Sequence, residues 1–147
     1  MDSVDSRILA LLQANSRITM SELGRVIGMT QPAVTERVRK LEDRGVISGY
    51  RAVLSPEKLG KPIMAFILMQ TNSCADFDAF CEQSPEVVDL YRISGQHNFL
   101  LKIVTASMGS LERFTNSLGA FGHSTTLIVL SARFEQKAIL PDIPESM

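Results

Sequence analysis

Cysteine is scarce in this chain, with only Cys74 and Cys81 among 147 residues. On a shared helix they would stand ~10 Å apart along the axis at ~1.5 Å rise per residue, beyond disulfide reach. No CxxC pair occurs, so a thiolate metal site has no ligands to start from. Both thiols read as ordinary packing residues, and no metal or cofactor is expected. Long apolar runs are missing too: the best, PIMAFILMQ from Pro62 to Gln70, is well short of the ~18 residues of a spanning helix. The N-terminal MDSVDSRILALLQ carries acids where a signal peptide has cations, and no small-residue cleavage site follows. The expectation is a cytoplasmic protein with no membrane partner. No Ser/His/Asp set or paired carboxylates stand out, and Asp76 and Asp78 diverge on a helix. No catalytic residue is therefore assigned, and the chain does not read as an enzyme.

A strong net charge is also absent: the formal total is -1. The charge is unevenly placed, however. Residues 1–60 hold nine Lys/Arg against seven Asp/Glu, and residues 61–147 hold six against nine, giving +2 and -3. A basic front and an acidic back indicate two modules with different partners. In the front module Arg37, Arg39, Lys40 and Arg44 fall within eight residues.

The period of the apolar residues divides the chain the same way. SVDSRILALLQANSR places Val4, Ile8, Leu11 and Leu12 on one helical face, with Asp2 or Ser3 as N-cap. TMSELGRVIG puts Leu23, Val26 and Ile27 on one face and stops at Gly28. A third helix follows Met29, with Thr30 as cap and Pro32 in the first turn, where its missing N–H costs nothing. Val46 to Ser55 reads as two short strands around Gly49, and SPEKLGKP as a turn-rich joint. Beyond it come strands at 63–71, 87–93, 99–105 and 125–134, with helices at 75–83 and 107–118. That βαββαβ order is ferredoxin-like. The expected fold is α+β: a DNA-binding module over 1–54 (helix-turn-helix about 21–40), a linker at 55–61, a ferredoxin-like domain over 62–135, and a frayed tail at 136–147.

Helix, glycine turn, helix is the helix-turn-helix arrangement, and its sterics set a spacing that these residues meet. Gly24 is small where the two helices cross, Gly28 supplies a left-handed turn, and Val34 and Val38 clip the second helix onto the first. With Val34, Val38 and Leu41 inward, Pro32, Glu36, Arg39, Lys40 and Asp43 point out at ~100° per residue. Arg37 and Arg44 then sit on one flank and Thr35 on the other. A major-groove helix needs this mixture: base-edge readers near its start and phosphate partners around them. Gln31, Thr35 and Glu36 can reach base edges, Arg37, Arg39 and Lys40 bases or phosphates, and Thr30 and Pro32 open the same turn. The expected partner is double-stranded DNA.

VDSRILALLQANSRITMSELGRVIGMTQPAVTERVRKLEDRGVISGYRAVLSPEKLG resembles the N-terminal region of the Lrp/AsnC (leucine-responsive, or feast/famine) transcriptional regulators. YRISGQHNFLLKIVT, with the helix and strand after it, resembles their C-terminal effector module. The resemblance implies a winged helix-turn-helix joined to a ferredoxin-like regulatory domain of the RAM or ACT-like type. It implies dimers that assemble into tetramers, octamers or similar rings, bind and bend DNA, and in many members sense an amino acid between dimers. The family's pocket maps onto Ser94, Gly95, Gln96, His97 and Asn98 and onto Ser124 and Thr126, with His97 and His123 flanking it. Family members commonly carry Asp where this chain has Asn98, and a neutral amide cannot pair with an ammonium as a carboxylate does. Two other readings stay open here: an architectural DNA-wrapping protein without an effector, and a small-molecule-binding ferredoxin-like protein.

Overall fold

A computed structural model of the chain describes residues 1–142. The chain forms two compact units, residues 1–52 with the segment from Phe134 onward, and residues 53–133.

The first unit holds α1 (Ser3–Ala14), α2 (Met20–Ile27) and α3 (Gln31–Asp43). A capping box opens α1: Asp5 N–H donates to Asp2 Oδ1 at 2.8 Å and Asp2 N–H to Asp5 Oδ2 at 3.1 Å. Thr19 caps α2 through Glu22 N–H, whereas Thr30 precedes α3 without a side-chain cap bond. Ile8, Leu9, Leu12, Leu23, Val34, Val38 and Leu41 make the core. Leu9 joins it where the sequence pattern did not place it, rotating the buried stripe of α1. Val26 was expected inward and is exposed. It lies ~60° from Leu23 around the helix, on the flank away from Ile27.

Residues 46–55 form no strand, contrary to expectation. The N–H groups of Val46 and Ile47 both return to Leu41 O, at 2.9 and 3.1 Å, so the first proposed strand is spent closing α3. Val53 and Leu54 are exposed and have no ladder partner among the described residues. The tail is better tied than expected at Ile139. Gln13 Nε2 donates to Ile139 O and Ile139 N–H donates to Gln13 Oε1, both at 2.9 Å. Residues 143–147 of the expected tail lie outside the described residues.

The second unit is β1 (Ile63–Thr71), α4 (Cys74–Gln83), β2 (Val87–Arg92), β3 (Phe99–Thr105), α5 (Met108–Leu118) and β4 (Gly122–Ile128). The four strands are antiparallel in the order β2-β3-β1-β4, the ferredoxin-like topology. The last strand starts and ends earlier than expected from 125–134. Its ladder ends where β1 runs out: Ala65 pairs with Ile128 and Val129 N–H reaches Met64 O, one residue from the start of β1 at Ile63. At its start, a Cβ on Gly122 would fall on Gln70 O, so only glycine fits.

Both helices pack on one sheet face. Phe77, Cys81, Leu111, Phe114 and Leu118 meet Ala65, Ile67, Met69, Phe99, Leu101 and Ile103 there. Burial pushes the Cys81 thiol up to about 11, as befits a packing residue, and Cys74 is also free. The opposite face carries Met64, Phe66 and Leu68 in register with Val104, Lys102 and Leu100, and then with Leu127 and Thr125. Most of these side chains stay half-buried or exposed. β1 is thus apolar on both faces while its helices cover only one.

Candidate nucleic-acid interface

Gly24 and Gly28 set the angle at which α3 leaves α2. Gly28 is left-handed at φ 83°, ψ 34°, and its N–H and that of Met29 both bond Gly24 O, at 2.9 and 2.8 Å. A Cβ on Gly24 would stand 2.7 Å from Met29 O and 3.4 Å from a Val34 methyl, so the crossing depends on its absence. Val34, Val38 and Leu41 face inward as expected, and the outer face of α3 is open to solvent.

On that face Gln31 and Pro32 are exposed, as are Thr30 just before them and Thr35 one turn on. The Thr35 hydroxyl donates to Gln31 O at 2.7 Å, which leaves its lone pairs as acceptors. Glu36 is held by Arg39 through two bonds, Nε to Oε2 at 3.0 Å and Nη2 to Oε1 at 2.9 Å, with Lys40 Nζ at 3.7 Å. Arg39 also approaches Asp43 at 3.6 Å. The Arg39 guanidinium keeps the Glu36 carboxyl below its ordinary range. These pairs are solvent-exposed and screened, so a phosphate can displace them.

Arg37 differs. Its Nη1 donates to Asp2 Oδ2 at 2.8 Å, Asp2 Oδ1 at 3.0 Å and Asp5 Oδ1 at 2.7 Å. The two carboxylates raise its pKa further. The sequence placed Arg37 among the base or phosphate readers; here its guanidinium is bonded to the first turn of α1. Sequence reasoning also passed over Arg17, Arg25 and Arg51, which are exposed and, with Arg44, make no ion pair among the described residues. Only their lack of acidic partners marks them, and that is not visible in one dimension. Beside α3, a groove of about 440 Å³ is lined by Leu12, Met20, Thr35, Arg39, Glu42 and Tyr50 among others. Tyr50 donates to Glu42 at 2.9 Å, and burial with that carboxylate pushes the phenol up to about 12.

The second set of expected residues is divided: the loop 94–98 and Ser124 lie toward the Met69–Thr71 end of the ferredoxin-like sheet, whereas Thr126 lies at mid-strand. Ser94, Gly95, Gln96, His97 and Asn98 form the loop from β2 to β3; Gly95 takes a positive φ of 110° and His97 is half-buried. Ser124 pairs with Met69 and Thr126 with Ile67. Thr126 faces a cleft of about 370 Å³ between α5 and β4, with Met108, Leu111, Glu112 and Thr115. His123 is exposed on β4 beside Gln70.

Asn98, expected from the resemblance to line the effector pocket, bonds the backbone of Thr71 through its amide. Thr71 N–H donates to Oδ1 at 3.0 Å, and Nδ2 donates to Thr71 O at 2.7 Å. With its own N–H bonded to Met69 O at 2.9 Å, Asn98 extends the β1–β3 ladder by imitating a peptide group.

The sequence comparisons agree with both units. Residues 1–42 match the AsnC-type helix-turn-helix domain, and residues 64–139 match the Lrp/AsnC ligand binding domain. The chain belongs to the Lrp/AsnC family. It is 48% identical over 132 residues to an uncharacterized HTH-type transcriptional regulator of Bacillus subtilis, YezC, covering 90% of this chain and 95% of that one. The solved structure of Bacillus subtilis LrpC superposes with a TM-score of 0.87 at 32% identity, covering 93% of this chain and 99% of that one. A Neisseria meningitidis transcriptional regulator solved in complex with L-Met gives 0.88 at 26% identity, covering 95% of this chain and 96% of that one. All the DNA-reading candidates fall within the first Lrp/AsnC match, and all the effector candidates within the second.

Proposed function

We propose that this Lrp/AsnC protein is an oligomeric, cytoplasmic transcriptional regulator that lays α3 in the major groove of DNA. Gln31, Thr35 and Glu36, with Thr30 and Pro32 opening the turn, approach base edges. Arg39 and Lys40 exchange their intrahelical acids for phosphates, helped by Arg44, Arg17 and Arg25, which make no ion pair among the described residues. The observation that carries this reading is the glycine-built crossing, which leaves the outer face of α3 open and polar while its inner face is fully buried. The uncovered sheet face is the dimer surface: an apolar row on a central strand is more than a monomer usually leaves open. No helix of the described residues is long and apolar enough to cross a membrane.

Mobility shift of genomic fragments tests the reading directly. Retarded fragments should share a sequence, and binding should weaken steeply with salt. Absence of any shift at micromolar protein would count for a small-molecule-binding ferredoxin-like role instead.

One observation favours the architectural alternative, in which DNA is wrapped without an amino-acid signal. The loop 94–98 contains no carboxylate, and the amide of Asn98 is occupied by Thr71. A free α-amino acid therefore lacks its ammonium partner at that loop. Calorimetry with leucine, methionine, asparagine and lysine separates the two readings.

A further inference from the structure

Among the four basic residues of α3 and its cap, Arg37 alone is bonded to another helix among the described residues. Its bonds end on the two acids that already cap α1 through each other's backbone. The capping acids are thus fixed before Arg37 arrives, and Asp5 is largely buried, its side chain 13% exposed. Such a tie resists rotation of α3 about its axis, because Arg37 projects to the flank of the buried stripe of Val34, Val38 and Leu41 and is held there by a second helix.

We propose that Arg37 is a positioning residue for DNA recognition: through Nη1 it ties α3 to the capped first turn of α1, sets the rotation at which Thr35, Glu36 and Arg39 meet the groove, and touches no phosphate itself. The inference rests on α3 being the groove helix. It reverses the role that a basic residue on such a helix ordinarily receives.

The reversal gives opposite signs to one simple substitution. Removing an acid from a DNA-binding module ordinarily strengthens binding by reducing repulsion. Asp5→Asn keeps an acceptor for Asp2 N–H but replaces the charge facing Arg37, so here it should weaken specific binding. All the Arg37 bonds use a single nitrogen, so Arg37→Lys can retain much of the tie, whereas Arg37→Met cannot.

The test uses the full-length protein with two labelled duplexes, one selected by the protein from a random library and one of mixed sequence. Affinity is measured across a salt series, with circular dichroism to confirm folding. Arg37→Met and Asp5→Asn should each lower the selected-to-mixed affinity ratio by about tenfold, the size of one mismatched base pair. The salt slope should be unchanged, and Arg37→Lys should restore most of the ratio. A purely stabilising ion pair would move the melting temperature and leave that ratio alone, which would overturn the proposal. So would an Arg37→Met slope flattened by ~0.9 together with tighter binding by Asp5→Asn, the signature of a phosphate partner. Should Arg37→Met fail to fold, Asp5→Asn and Arg37→Lys decide the matter. Arg39→Ala in the same series reports separately on whether α3 meets DNA at all.

Discussion

Asn98 shows how one polar atom fixes what a loop can do. Its amide offers a donor to Thr71 O and an acceptor to Thr71 N–H, and the isosteric carboxylate lacks the donor at neutral pH. Asn98→Asp would set a carboxylate against a carbonyl oxygen now 2.7 Å from Nδ2. The variant should lose about 1–3 kcal/mol at neutral pH, the cost of a broken and unsatisfied buried bond. Its carboxyl would have a raised pKa in the fold, because the protonated acid can donate to Thr71 O. The loss should therefore shrink as pH falls toward about 4 and be fully expressed well above it. Urea unfolding at both pH values checks this; a variant as stable as the natural protein at neutral pH would show the amide to be replaceable. The same residue marks where the sequence stopped being legible. Nothing local reveals that Asn98 answers Thr71, or that Arg37 answers Asp2 and Asp5. Both side chains read as ligand or DNA partners because the groups they bond lie 27 to 35 residues away along the chain.

At the scale of the element, periodicity carried the reading where an element makes its own bonds, and failed where a partner decides. The inward stripe of α3 came from spacing, while β1 and β3, which bond each other, were marked by their runs of β-branched and large apolar residues. The end of β4 did not, because it depends on where β1 begins, and residues 46–55 have strand-like composition without a strand to pair with. The turn between α2 and α3 was legible because glycine is required there for steric reasons. Gly28→Ala should cost about 1 kcal/mol for the left-handed backbone, with no clash, since nothing lies within 4 Å of its Cβ position. Gly24→Ala should cost more and also weaken DNA binding, because Met29 O at 2.7 Å is backbone that can yield only by shifting α3. Thermal melting beside a mobility shift would separate the two; equal and small effects would mean that the helices have room to part.

For the whole molecule, the uncovered sheet face bears on assembly. Phe66 sits at its centre, between Lys102 and Leu127. Phe66→Glu should give a folded monomer by light scattering and lower DNA affinity well beyond what removing one phosphate partner would, since paired helices bind paired half-sites. A Phe66→Glu protein that stayed dimeric would move the interface elsewhere.

The claim most exposed to test is that the outer face of α3 meets DNA phosphates through Arg39 and Lys40. DNA affinity should be titrated against salt for the natural protein and for a folded variant combining Arg39→Ala and Lys40→Ala. The log–log slope should flatten by about 1.8, at ~0.9 for each phosphate no longer neutralised. An unchanged slope in the folded double variant would contradict the account.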